Sequence, residues 1–165
     1  MRSVLFGALA VVVACGDHTS AAARRSAAAT DSVYAAVQAR GRTAMGVDQY
    51  TSTHIFEPLD DGGRIELQRD DADTAGTRQI REHMRQIAAS FGAGDFRLPG
   101  FVHDRAVPGT GVMAAHRSEI TYLVEDLPRG SALRLRAQSP EVVRAIHDFL
   151  AFQRQEHHAA AHHGG

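Results

Sequence analysis

The same strand–turn–strand–helix pattern occurs twice along this chain, and no other feature constrains its fold as strongly. Thr53, Glu57, Leu59, Gly62, Ile65 and Leu67 recur without a gap as Thr121, Glu125, Leu127, Gly130, Leu133 and Leu135, a constant offset of 68 residues. In the first copy Thr51 to Leu59 reads as a strand, Asp60-Asp61-Gly62-Gly63 as a turn and Arg64 to Gln68 as an alternating strand. A helix then opens at Asp73 or Thr74, carries Ile80, Met84, Ile87 and Phe91 on one stripe, and ends before Gly92 and Gly94. The second copy runs from a strand over Ile120 to Val124, through a turn at Leu127-Pro128-Arg129-Gly130, to a strand over Leu133 to Arg136. Ser139 then caps a helix with Pro140 at its first position and Val142, Val143, Ile146, Phe149 and Leu150 on one face, reaching about His157.

One ββα unit cannot bury its sheet face alone. The expected fold is therefore α+β, with the two units joined in a four-stranded antiparallel sheet and two helices on one face. The two helices align at a slightly shorter offset than the hairpins, and two registers remain open. One pairs His83 with His147; the other pairs Met84 with His147. Residues 92–119 connect the halves and contain Pro99, Pro108 and four glycines after Gly92. A connection this long inside a small domain is uncommon and is where function often sits.

The first fifteen residues give an address. Arg2 is a short positive region, Val4 to Val13 is an apolar run too short to span a bilayer, and Val12-Val13-Ala14-Cys15 reads as a bacterial lipobox. The expected organisation is a lipoprotein signal peptide over residues 1–14 and a lipidated, flexible tether over 15–44 that begins at Cys15. Within that tether Asp31-Ser32 opens a short helix to Arg40. The ββα-linker-ββα domain occupies 45–157, and a His-rich tail occupies 158–165. The expected location is the bacterial cell envelope, lipid-anchored, with the domain facing the periplasm or exterior. The outer membrane is favoured, because Gly16 replaces the aspartate that retains lipoproteins at the inner membrane.

Composition narrows the chemistry. A net charge of −1, with every cationic residue an arginine, leaves no electrostatic footprint for nucleic acid. The absence of Lys removes Schiff-base chemistry and the phosphate-gripping lysine of a P-loop. The single Cys excludes an internal disulfide and a thiolate metal site. Gly109-Thr110-Gly111-Val112-Met113-Ala114 matches a dinucleotide fingerprint in letters only, since no preceding parallel strand or acidic partner accompanies it. No nucleophile with an activating partner is identifiable, so no catalytic residue is assigned and an enzyme has the least support.

Histidine is the abundant chemistry-bearing residue, with ten copies beside four methionines. His54, His83, His103, His116 and His147 fall inside the folded region, with Met84 and Met113 nearby. Imidazole with thioether and without thiolate suits copper better than zinc, and soft Met favours its monovalent state. The expected metal site takes His83 and His147 from the two helices and His103 and Met113 from the linker. The function expected from the sequence is an envelope lipoprotein domain that binds a transition metal, copper favoured, as carrier or sensor. The alternative is a non-enzymatic interaction or structural lipoprotein without metal, contacting another envelope protein. Gln153 and His157 extend the apolar stripe of the last helix and need polar partners. The tail from His157 to His163 supports only weak, low-specificity capture.

Ile146-His147-Asp148-Phe149-Leu150-Ala151-Phe152-Gln153-Arg154-Gln155-Glu156-His157, together with Met45-Gly46-Val47-Asp48-Gln49, Gly94-Asp95-Phe96 and the spacing from Pro108-Gly109 to Met113, carries a resemblance. These residues resemble a group of small, uncharacterised bacterial proteins, frequently exported, that share an H-x-F-L-x-F-Q-x-x-x-H helix. The likeness spans roughly Met45 to His157. It brings no activity with it and marks His83, His103, Met113 and His147 as positions to watch.

Overall fold

A computed structural model of the chain describes residues 17–46 and 51–157. Two hairpins form the sheet. Strand β1 (Ser52–Leu59) pairs antiparallel with β2 (Gly62–Arg69), and β3 (Thr121–Leu127) pairs antiparallel with β4 (Gly130–Arg136). The turns hold two residues each, as the clusters Asp60-Asp61 and Pro128-Arg129 dictate. Gly62 takes φ +138, and a Cβ there would lie 2.3 Å from the Leu135 carbonyl oxygen, so the crossing of the central strands requires glycine.

The strand order is β1-β2-β4-β3, with β2 antiparallel to β4 at the centre. Ile65 and Leu133, equivalent in the repeat, lie directly opposite one another in that pairing. A pseudo-twofold axis therefore passes between them, and the repeat has become the symmetry of the sheet. The α+β architecture read from the sequence is present, with both long helices on one face of four antiparallel strands.

Helix α2 (Thr74–Gly92) starts where the Asp73 side chain accepts a hydrogen bond from the Gly76 N–H at 3.0 Å. Helix α5 (Pro140–Glu156) starts on Pro140 after Ser139, whose side chain makes no capping bond. Each helix lies across the other unit's hairpin: α2 packs on β4 and β3, and α5 on β1 and β2. Neither unit could therefore bury its own sheet face without the other. Ile80, Met84 and Phe91 of α2 and Ile146, Phe149 and Leu150 of α5 share one core with Ile65, Leu67, Leu133 and Leu135, and Phe91 meets Phe149 edge-on at 5.8 Å. The opposite sheet face is polar, with Arg64 paired to Glu66 and to Glu125.

Residues 92–119 are more ordered than their composition indicates. They form α3 (Arg97–His103), α4 (Thr110–Ala115) and a 3-10 turn at Arg117–Glu119. The first of the structure's helices, α1 (Asp17–Met45), also exceeds the short helix expected from Asp31 to Arg40. Alanine-rich sequence without Gly or Pro up to Arg40 supports helix where hydrophobic periodicity gives no signal. Residues 23–33 of α1 are exposed and belong to a separate unit. From Tyr34 onward the helix is part of the compact unit: Val37 and Gln38 are buried, and Arg40 Nε donates to the Val102 carbonyl at 2.6 Å. The segment expected to be a signal peptide, Cys15 and the tail beyond His157 lie outside the described residues. Among the described residues no helix is long and apolar enough to cross a membrane.

Tyr122 occupies the position that the 68-residue offset makes equivalent to His54. Its hydroxyl is buried with no hydrogen-bond partner, and burial pushes its pKa well up. An unsatisfied buried donor costs more than the apolar atom it replaces. Tyr122→Phe is therefore expected to leave stability unchanged or raise it by up to about 1 kcal/mol in urea denaturation. A clear loss would show that the hydroxyl is bonded.

Candidate functional site

Four of the chain's histidines line one pocket. It has a volume of about 90 Å³ and lies between α2 and α5 at the β1 end of the layer, covered by α3 and the last turns of α1. His54 comes from β1, His83 from α2, His103 from the end of α3 and His157 from the C-terminal cap of α5. The alternation of β1 places His54 on the same inward face as Phe56. The helical spacing of α5 carries the stripe from Phe149 through Gln153 to His157.

Three of the four imidazoles are in ring contact. His54 and His157 lie face to face, ring centroids 5.2 Å apart and 18° from parallel. His103 meets His157 edge-on at 5.1 Å. His103 Nε2 donates to Gln153 Oε1 at 2.9 Å, which supplies the partner that buried Gln153 requires. The same bond leaves His103 Nδ1 with its lone pair, buried and without a hydrogen-bond partner. The nearest carboxylate, Glu156 Oε2, is 3.9 Å from that nitrogen, and Glu156 is held by Arg105 at 2.7 Å.

The rest of the wall is apolar: Phe56, Ile65, Leu67, Met84, Phe91 and Phe149. Such surroundings disfavour the charged form of imidazole. Burial, and then the neighbouring His83, holds the His54 pKa down at about 4, with Asp70 opposing. Burial alone holds His83 down at about 4. His103 is lowered by burial despite the bond to Gln153 and the nearby Glu156. These three rings are therefore neutral at neutral pH. His83 and Ala44 also border a second, polar cleft lined by Arg78, Gln79, Glu82 and Gln86.

Of the four metal-site residues read from the sequence, the structure brings two together. His83 and His103 share the pocket. His147 lies on the flank of α5, its Nε2 2.9 Å from the Leu59 carbonyl oxygen, and is absent from the pocket wall. Met113 is fully buried in the core on α4, and Met84 is the methionine beside the histidines. The N-caps of the two helices, Asp73 and Ser139, lie 66 residues apart, an offset that pairs neither His83 nor Met84 with His147, and the buried face of α5 is Val142, Ala145, Ile146, Phe149, Leu150 and Gln153. His54 and His157 complete the group instead. Signals for both were present: His54 alternates with Phe56, and His157 continues the α5 stripe.

His116 stands apart on the surface, bonded to Glu119 at 2.7 Å, and this bond raises its pKa. Among the described residues no three His, Cys, Asp or Glu side chains are placed to hold one ion together. The chain matches no family model, no curated protein and no solved structure.

Proposed function

We propose that the domain binds a transition metal ion, copper favoured, in the four-histidine pocket, and serves the bacterial envelope as a lipid-anchored carrier or sensor. The observation that carries this reading is the convergence of His54, His83, His103 and His157 from separate elements on one pocket beside Met84. Coordination needs neutral imidazole, and the depressed pKa values of His54, His83 and His103 supply it. Gln153 would orient His103 as outer partners orient metal-bound imidazoles, fixing which ring nitrogen is bare. The envelope location rests on the lipobox at Cys15, and the resemblance to small exported proteins agrees with it. Loading would require side-chain rotation to draw two or three of the donors onto one ion.

The test uses the full chain with His158, His162 and His163 changed to Ala, so that the tail cannot capture metal. One equivalent of copper, offered as Cu(II) and, without oxygen, as Cu(I), is expected to bind in at least one of the two states. His83→Ala and His103→Ala should each weaken binding at least about tenfold, while His147→Ala and His116→Ala should not. If the tail-substituted chain stays empty, the metal reading is wrong and a non-enzymatic interaction domain takes its place.

A further inference from the structure

We infer that the pocket selects a soft monovalent ion, Cu(I), and discriminates against Zn(II) and Cu(II) by charge. This rests on the metal reading above and adds the oxidation state and its cause. Among the described residues the pocket wall contains no Asp, Glu, Arg or Lys side chain; its polar members are four imidazoles and one amide. The donors therefore contribute no negative charge.

The cost of moving an ion from water into an apolar cavity grows with the square of its charge. A divalent ion thus bears about four times the desolvation cost of a monovalent ion of the same size. The neighbouring charges do not offset that difference. Glu156, 3.9 Å from His103 Nδ1, lies outside the pocket wall, and its pull on His103 is opposed by Arg105, paired with it at 2.7 Å. Arg40 also acts on His103 with positive sign. Asp70 acts on His54 from outside the pocket, where it bonds the Thr53 hydroxyl at 2.7 Å.

Donor type and number point the same way. His54 and His157 stack, and His103 meets His157 edge-on, so side-chain rotation has to turn a pair of ring nitrogens onto one ion; Met84 is buried alongside. A d¹⁰ monovalent ion is satisfied by two imidazoles, or by two and a thioether. Zn(II) prefers four ligands in a tetrahedron. Buried His103 Nδ1, lacking a hydrogen-bond partner, is the donor most ready to serve.

The experiment titrates the tail-substituted full chain with Ag(I), as an air-stable monovalent probe, with Cu(I) under anaerobic conditions, and with Zn(II), each by competition against a chelator. Ag(I) and Cu(I) are expected to bind at least about 100-fold more tightly than Zn(II). Gln153→Glu places a carboxylate on the pocket wall with almost no change of shape and should narrow that gap at least tenfold. Met84→Leu conserves volume and should weaken Ag(I) binding while leaving Zn(II) unchanged. Should Zn(II) bind as tightly as the monovalent ions, the charge inference is overturned while the metal reading stands. If no ion binds, both fall.

Discussion

Gly109→Ala is expected to destabilise the domain by at least about 3 kcal/mol, while Gly111→Ala, two residues away, should be neutral or stabilising by up to about 1 kcal/mol. Gly109 precedes α4 with φ +78, a conformation that costs an L-residue on the order of 1–2 kcal/mol. A Cβ at Gly109 would also sit 2.0 Å from the Ala145 carbonyl oxygen and 2.9 Å from its carbon, both in the backbone of α5. Rigid helix backbone cannot yield, so α4 must lift away. That loosens Met113, which is fully buried and whose N–H donates to the Gly109 carbonyl at 3.0 Å. A Cβ at Gly111 meets nothing within 4 Å. Urea denaturation of the two variants checks the contrast, and equal midpoints would refute it. The Gly-x-Gly letters thus mark a close helix contact at Gly109 and an incidental glycine at Gly111, which explains a dinucleotide fingerprint that lacks its strand and acidic partner.

Acid is expected to destabilise the metal-free domain steeply between pH 6.5 and pH 4. His54 and His83 ionise near 6.5 when unfolded and at about 4 when folded. Between those values the unfolded chain binds more protons than the native one, so stability rises with pH and falls as pH is lowered. Each ring contributes a loss of about 3 kcal/mol by pH 4, a large share of a small domain's stability. Above pH 6.5 the two rings produce no further change. Denaturation midpoints measured from pH 7.5 to pH 4 check the slope, and His83→Leu should flatten it. An unchanged slope in that variant would mean the ring protonates without cost. His116 acts in the opposite sense: its raised pKa adds stability that is present at low pH and lost as pH climbs past the folded value, and it is too exposed to matter much.

Much of the fold was legible because its signals are local. Alternation over two residues, two-residue turns followed by glycine, and a stripe at Ile80, Met84, Ile87 and Phe91 each depend on neighbours in sequence, and both hairpins, α2 and α5 lie where those patterns place them. The repeat offset even anticipates the symmetry axis between Ile65 and Leu133. Helices α3 and α4 were not legible: at seven and six residues they are too short to form alone and exist because Val102, His103 and Met113 are buried against the domain. The length of α1 was missed because a polar, alanine-rich helix carries no hydrophobic period.

The metal-site residues divide along the same line. Local pattern singled out His83 and His103, by placing one beside an apolar stripe and the other in a long linker. Pairing His83 with His147 assumed that equivalent helices present equivalent faces to a common centre. Instead α2 covers β3 and β4 while α5 covers β1 and β2, which turns His147 toward Leu59 and brings the C-terminal end of α5 over His54. Sequence by itself determined the elements, their order and the supply of imidazole and thioether. Tertiary structure alone decided which imidazoles meet, because the crossing of each helix onto the other unit's hairpin is set by burial of the whole sheet face, and no local period encodes it.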